Sequence, residues 1–330
     1  MITLREKKGE GRLLHILMGR ARTGKSERVL QRIAALGDSS QQILLVPEHA
    51  SHVAEMDLCR VCGDTASRHA EALTFKLLAS RVLSICGGSA DVTLDSGGKL
   101  LTLQRTLTEL APVLKVYKRP SQRAAFLESL LAVMEELQAY AVSPEQLSES
   151  VAQIEGESGD KLRDLALVLA AYDAVTAQGH ADPTDRLTRL AERIPASTLG
   201  RTGHFYLDGF TDYTRQELAV VRALLTAGAD VTVCLTLDQL SGGSEIFGAA
   251  RRTARVLLDM ADDCGVQATV ESCPARAADT PLRVLEQQLF SYTSAHFDDP
   301  AQTITVHTAD DLAAECAWAA ARALQIVQSG

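Results

Sequence analysis

A chain of 330 residues, 46% hydrophobic and 23% charged, can hold about two globular domains with a substantial core, and its composition is that of an ordinary soluble protein. Its net charge of −9 excludes a free-standing domain that grips nucleic acid by bulk charge, so DNA contact would need a local basic groove or a larger assembly. Seven cysteines, an odd number with no disulfide-like framework, point to a reducing compartment, and aromatics at 4% leave few base-stacking platforms. The N-terminal charges (Arg5, Lys7, Lys8, Glu10) precede no long apolar run, and no stretch approaches the length of a membrane span. The expected location is the cytoplasm, with no membrane partner.

Residues 13–18 (LLHILM) form a short, mostly apolar run that suits a buried strand, and 27–35 read as a helix. Between them stands Gly19-Arg20-Ala21-Arg22-Thr23-Gly24-Lys25-Ser26, a full match to the phosphate-binding loop G-x-x-x-x-G-K-[ST]. The glycines let the backbone turn its N–H groups toward phosphates. Lys25 would reach the β- and γ-phosphates, and the Ser26 hydroxyl would ligate Mg²⁺. Strand, loop and helix is the setting the motif requires. A second strand is expected at 42–46, a helix at 50–62, a short strand at 70–73 and a helix at 75–85. Such alternation implies a parallel sheet with helices on its faces.

From 97 to 194 the pattern becomes almost purely helical, through 100–110, 124–140, 162–175 and 187–194. Ser143-Pro144-Glu145 looks like a helix cap with proline in the first turn, and Pro183 after Asp182 looks similar. These residues read as a helical subdomain inserted between sheet strands. The alternation then resumes: strand 204–207, helix 214–225, strand 230–237, helix 245–261, strand 266–270, helix 281–290, strand 303–307 and helix 312–327. Linkers are expected at 275–279 and 294–302.

A P-loop needs a carboxylate at the end of a neighbouring strand to hold Mg²⁺ through water. Asp208 follows the apolar run Phe205-Tyr206-Leu207 and would sit at that edge, though a strand-ending Asp-Gly turn is the plainer alternative. Where active helicase-type motors follow this aspartate with a glutamate that activates water, this chain has Gly209. Loss of a general base there removes roughly two to four orders of magnitude of hydrolysis rate. Glu217 lies too far downstream to substitute easily.

The ordered segments GRARTGKS, ILLVPEHASHVAE, LTFKLLASRVL, ADPTDRL, YLDGFTDYTRQE, PLRVLEQQLF and ITVHTADDLAAECAWAA resemble the N-terminal part of the AddB/RexB family, the B subunit of the bacterial ATP-dependent helicase/nuclease. The resemblance implies a P-loop NTPase fold of the UvrD-like helicase kind, α/β with a large inserted helical subdomain. It implies a first part of the motor domain at 1–90, the insertion at 91–200, the rest of the motor domain at 201–293 and the start of a second motor domain at 294–330. It further implies ATP and Mg²⁺ as cofactors, the A subunit (AddA/RexA) and single-stranded DNA as partners, and a scaffold that scans DNA for the Chi sequence in double-strand break repair. Active relatives read D-E-x-Q-D where this chain reads Asp208-Gly209-Phe210-Thr211-Asp212, which fits a motor that binds ATP with little hydrolysis.

By position, Thr74, Phe75 and Lys76 fall where such helicases touch the single-strand backbone; a helix start with a solvated lysine is the alternative. Gln216 falls in a region that couples nucleotide to neighbouring elements, or on a solvated helix face. Arg22 stands where the family more often has glycine and needs an exposed path. The family's nuclease domain and iron–sulfur cysteines are not in this sequence, so the chain reads as a fragment or truncated product and no nuclease activity is assigned to it. A competent stand-alone P-loop ATPase or small-molecule kinase is the competing functional class. Cys59 and Cys62 read as buried thiols rather than half a zinc site, and His49 and His52 as loop or helix-start residues. Asp182 and Asp185 read as helix-capping residues, and Asp262 and Asp263 as a solvated helix end.

Overall fold

The computed structural model describes residues 13–63, 66–87, 94–119, 123–151, 154–176, 186–274, 280–290, 297–300 and 302–329. The N-terminal charges and the segment holding Asp182, Pro183 and Asp185 lie outside the described residues. The chain forms two compact units, Met1–Pro274 and Ala275–Gly330.

In the first unit, β1 (Leu13–Gly19), α1 (Lys25–Leu36), β2 (Gln42–Leu45), α2 (Ser51–Cys62), β3 (Ala70–Leu73) and α3 (Phe75–Cys86) alternate as the sequence predicts. Five helices follow: α4 (Ser96–Leu110), α5 (Ala124–Ala139), α6 (Pro144–Val151), α7 (Gly156–Thr176) and α8 (Arg186–Arg193). A short α9 (Thr198–Thr202) then leads to β4 (His204–Leu207), α10 (Arg215–Ala227), β5 (Asp230–Thr236), α11 (Gly248–Asp263) and β6 (Gln267–Ser272). The six strands form one sheet in the order β3-β2-β4-β5-β1-β6. Every pairing is parallel.

Both faces of this sheet are covered, which is why β1 reads as a nearly continuous apolar run rather than an alternating one. Leu14, Ile16, Phe205, Leu207, Val231 and Val233 face one way, into a core closed by α3, α8, α10 and α11. Leu17, Leu44, Tyr206 and Cys234 face the other way, against Val29, Leu30 and Ile33 of α1 and Leu58 of α2.

The long helical stretch divides its labour. Helices α4, α5 and α7 build their own core around Leu103, Leu107, Leu130, Met134, Val168 and Tyr172. Leu190 of α8 and Ile194 instead pack into the sheet's core, beside α3 and α10. The end of the helical stretch thereby joins the sheet before β4 begins. The expected cap at Ser143 is formed: its Oγ accepts from the Gln146 N–H at 3.2 Å, and Gln146 Oε1 accepts from the Ser143 N–H at 3.2 Å.

The second unit holds α12 (Pro281–Gln288) and α13 (Leu312–Ser329). The strand expected at 303–307 is not formed, and the backbone there makes no ladder. Its apolar alternation is local, whereas a strand exists only when a neighbour supplies the other half of its hydrogen bonds. Instead Asp299 accepts from the Ile304 N–H at 3.0 Å, and His307 stacks on Trp318 with centroids 4.2 Å apart. No helix among the described residues is long and apolar enough to cross a membrane.

Candidate nucleotide site

The segment from Gly19 to Ser26 leaves the carboxyl end of β1 and enters α1, at the sheet edge where parallel α/β folds bind ligands. Gly19 is required by close approach. A Cβ there would lie 2.5 Å from Thr23 Oγ1 and 3.0 Å from the Cys273 carbonyl oxygen. Gly19→Ala is therefore expected to destabilise the fold by about 1–2 kcal/mol, read as a lower midpoint in urea unfolding.

The loop turns through left-handed backbone at Arg22 (φ 57°) and at Gly24 (φ 85°), which caps α1 without a side chain. Left-handed backbone is the conformation that glycine takes most readily. Arg22 accepts the conformation with its side chain exposed, as its bulk demands. Lys25 is buried, and its Nζ donates to the carbonyls of Gly19 and Arg20 at 2.8 Å each. Thr23 Oγ1 also donates to the Arg20 carbonyl at 2.9 Å. Ala21 and Ser26 are exposed, Ser26 at the start of α1. The Arg20 guanidinium lies over the Phe247 ring, 5.4 Å from its centroid, tying the loop to the turn before α11.

Helix α1 is tethered by a charge cluster that sequence reading missed. Glu271 of β6 pairs with Arg28 and Arg32, and with His15 Nε2 of β1 at 3.2 Å. Burial works against the Glu271 carboxylate, but Arg32, His15 and Arg28 outweigh it and hold its pKa below the usual range. Burial, with Arg32, pushes the His15 pKa below its ordinary value. No motif marks these residues; they meet only because β6 pairs with β1.

Asp208 follows β4, with its N–H bonded to the Leu45 carbonyl at 3.0 Å. The expectation of a strand neighbouring the P-loop strand is corrected here: β5 lies between β4 and β1. On β5, the strand between them, Cys234 is a buried thiol on the face covered by α1. Burial and the Asp208 charge push this thiol well above its ordinary pKa. Cys273 is also buried, just past β6 beside Gly19. With β1 between them, Cys234 and Cys273 sit about two strand spacings apart, ~9.6 Å, beyond disulfide reach.

Gly209 has φ 83°, the left-handed region, and a Cβ there would touch Pro47 Cδ at 3.4 Å. Beyond it, Phe210 stacks on Tyr213 at 5.1 Å and meets Phe75 edge-on at 5.5 Å. Tyr213 is buried, which drives its phenol pKa well up. Glu217 is committed to a capping box with Thr214 at the start of α10, its Oε2 accepting from the Thr214 N–H at 2.8 Å. Burial raises its pKa. Gln216 donates to Thr188 Oγ1 at 3.3 Å, linking α10 to α8.

Of the three residues matched to a DNA contact, Thr74 is buried and caps α3 by accepting from the Leu77 N–H at 3.2 Å. Phe75 is buried against Phe210. Lys76 alone is exposed, pairing with Glu48 at 2.6 Å. His49 and His52 are exposed at the start of α2. The expectation of two buried thiols on α2 is corrected: Cys59 is exposed and Cys62 half-buried. The inward stripe of α2 runs through Ala54, Leu58 and Cys62 at i, i+4 spacing, which turns Cys59 about 100° away.

The fold is of the parallel-sheet α/β class, with helices on both faces and a glycine-turned loop leading into a helix at the carboxyl edge of β1. The chain belongs to the family described as "ADDB, N-terminal", whose model matches residues 16–286. It is similar to the B subunit of the ATP-dependent helicase/deoxyribonuclease of Desulforudis audaxviator, 32% identical over 95% of this chain and 28% of the relative. The proteins of the same name from Thermoanaerobacter sp. and Desulforamulus reducens are 29% and 31% identical, over 96% and 86% of this chain. The chain thus spans little more than a quarter of the length of the curated relatives it matches.

Proposed function

We propose that this chain is the nucleotide-binding, motor-derived part of the B subunit of an ATP-dependent DNA helicase/nuclease, and that it binds ATP–Mg²⁺ and hydrolyses it poorly. The observation that carries this reading is the pairing of a P-loop at the end of β1 with Asp208 followed by a left-handed Gly209. The residues suit the ligand. Gly19 leaves the close backbone approach that a Cβ would fill, the left-handed turns at Arg22 and Gly24 turn successive N–H groups to one side, and Lys25 supplies a cation at the loop. Gly19, Arg20, Ala21, Arg22, Thr23, Gly24 and Lys25 would hold the phosphates, and Ser26 and Asp208 the Mg²⁺. The bound cation would neutralise phosphate charge.

The left-handed Gly209 adds something to the missing glutamate. A side chain at that backbone costs about 1–2 kcal/mol, so the turn itself disfavours the residue that would activate water. Gly209→Glu is expected to lower stability by that amount and to leave ATP turnover within about tenfold of the parent, short of the roughly 10²–10⁴ a placed general base supplies. A coupled-enzyme ATPase assay beside thermal melts checks both.

The chain would act in the cytoplasm in double-strand break repair and recombination, alongside the A subunit (AddA/RexA) and on single-stranded DNA. Lys76, the exposed member of its trio at the start of α3, is the one that would meet a phosphate backbone. Steady-state ATP hydrolysis with and without single-stranded DNA tests the reading. Slow turnover with saturable nucleotide binding is expected. Robust DNA-stimulated turnover would replace it with a working motor, and robust DNA-independent turnover with a stand-alone ATPase or kinase.

A further inference from the structure

The loop from Gly19 to Ser26 is shaped from within by its own side chains. The Arg20 carbonyl accepts from Lys25 Nζ at 2.8 Å and from Thr23 Oγ1 at 2.9 Å, so two donors converge on that peptide. Arg22, two residues on, holds left-handed backbone, which a non-glycine residue keeps only where its surroundings over-determine it. A contact from outside the loop adds to these. Gly19 pairs with Thr236, the last residue of β5, so the connection from β5 to α11 leaves the sheet beside the loop. That connection ends at Phe247, whose ring centroid lies 5.4 Å from the Arg20 guanidinium carbon. Phe247 is only 8% exposed and packs into the sheet's core. The turn before it is clamped. Asp238 accepts from the N–H groups of Gln239 at 2.7 Å and Ser244 at 3.1 Å, and Arg251 of α11 donates to Asp238 Oδ1 at 3.2 Å and to the Ser244 carbonyl at 2.6 Å. A Cβ on Gly243 would lie 2.5 Å from Asp238 Oδ2, so the turn closes tightly around that carboxylate.

We propose that Phe247 is a positioning residue of the nucleotide site: its ring fixes the Arg20 side chain, and through it the peptide on which Lys25 and Thr23 converge, so that the β5–α11 connection holds the phosphate loop in shape. This rests on the reading of residues 19–26 as the phosphate loop. An aromatic face attracts a guanidinium, where an aliphatic side chain of similar size only packs against it. The Asp238–Arg251 pair acts one step further back, by fixing where the ring stands.

The test is a double-mutant cycle read by titrating a fluorescent ATP analogue, with Mg²⁺, against the full chain. Phe247→Leu is expected to weaken binding roughly threefold, and Phe247→Tyr, which keeps a ring, to recover most of that loss. In an Arg20→Gln background Phe247→Leu is expected to cost nothing more, because the contact is already gone. Arg251→Met, which loosens the turn without touching core or loop, is expected to behave the same way: a loss in the parent and none beside Arg20→Gln. Thermal melts identify any variant that has lost the fold, and if Phe247→Leu is one of them, the Arg251→Met cycle decides. Losses that multiply in the double variants, or a Phe247→Tyr variant as weak as Phe247→Leu, mean a packing role and overturn the proposal. A folded Phe247→Leu variant that binds like the parent, while Lys25→Ala binds weakly, overturns the proposal alone. Unchanged affinity in Lys25→Ala overturns the phosphate-loop reading and the proposal together.

Discussion

Lys25→Ala is expected to weaken ATP binding by about 2–3 kcal/mol, up to roughly a hundredfold in Kd. The size follows from what the ammonium does. It is buried at the junction of loop and helix, with two carbonyl partners at 2.8 Å. Its removal takes away a charge-assisted contact to the ligand and two bonds that shape the loop. Lys25→Arg keeps the charge but replaces a compact ammonium with a planar fork, so it is expected to recover only part of the loss. Titration of a fluorescent ATP analogue measures both. Unchanged affinity in Lys25→Ala would remove the P-loop from the binding site.

Asp164→Ala is expected to have the largest effect on stability, about 3 kcal/mol, confined to the helical block. Asp164 sits on α7, 2% exposed, and gathers three backbone N–H groups from the turn after α4. Those of Val116 and Tyr117 lie 2.8 and 2.9 Å from Oδ2, and that of Lys115 lies 3.1 Å from both oxygens. Alanine would strand all three donors. Asparagine keeps one carbonyl oxygen for Val116 and Tyr117 but turns an NH₂ group toward another N–H, so about half the loss is expected. Chemical unfolding of the three proteins gives the order. If the sheet melts separately from the helical block, only the block's transition should move, because its core of Leu103, Leu107, Val168 and Leu169 is distinct from the sheet's.

Much of the fold was legible in the sequence because its signals are local. The strands expected at 42–46, 70–73 and 204–207 were marked by short apolar runs and form at Gln42–Leu45, Ala70–Leu73 and His204–Leu207. The strand expected at 303–307 shows the limit of such signals, since apolar alternation does not provide a pairing partner. The trio Thr74, Phe75 and Lys76 shows a second limit. Motif position treats the three alike, yet helix capping and an aromatic contact bury the first two and leave only the third exposed.

The candidate site divides along the same line. By itself the sequence determined the strand, glycine-turned loop and helix around Gly19 to Ser26 and the aspartate that closes a strand. Each of these is written within a window of a few residues, where backbone geometry and side-chain chemistry act directly. Only the tertiary structure decided that β5 separates Asp208 from the loop, that Glu271 anchors α1, and that Gly209 sits in left-handed backbone against Pro47. These depend on which strands pair and in what register. That choice is made by burial of two sheet faces over segments more than two hundred residues apart, as β1 and β5 are, and no local pattern carries it.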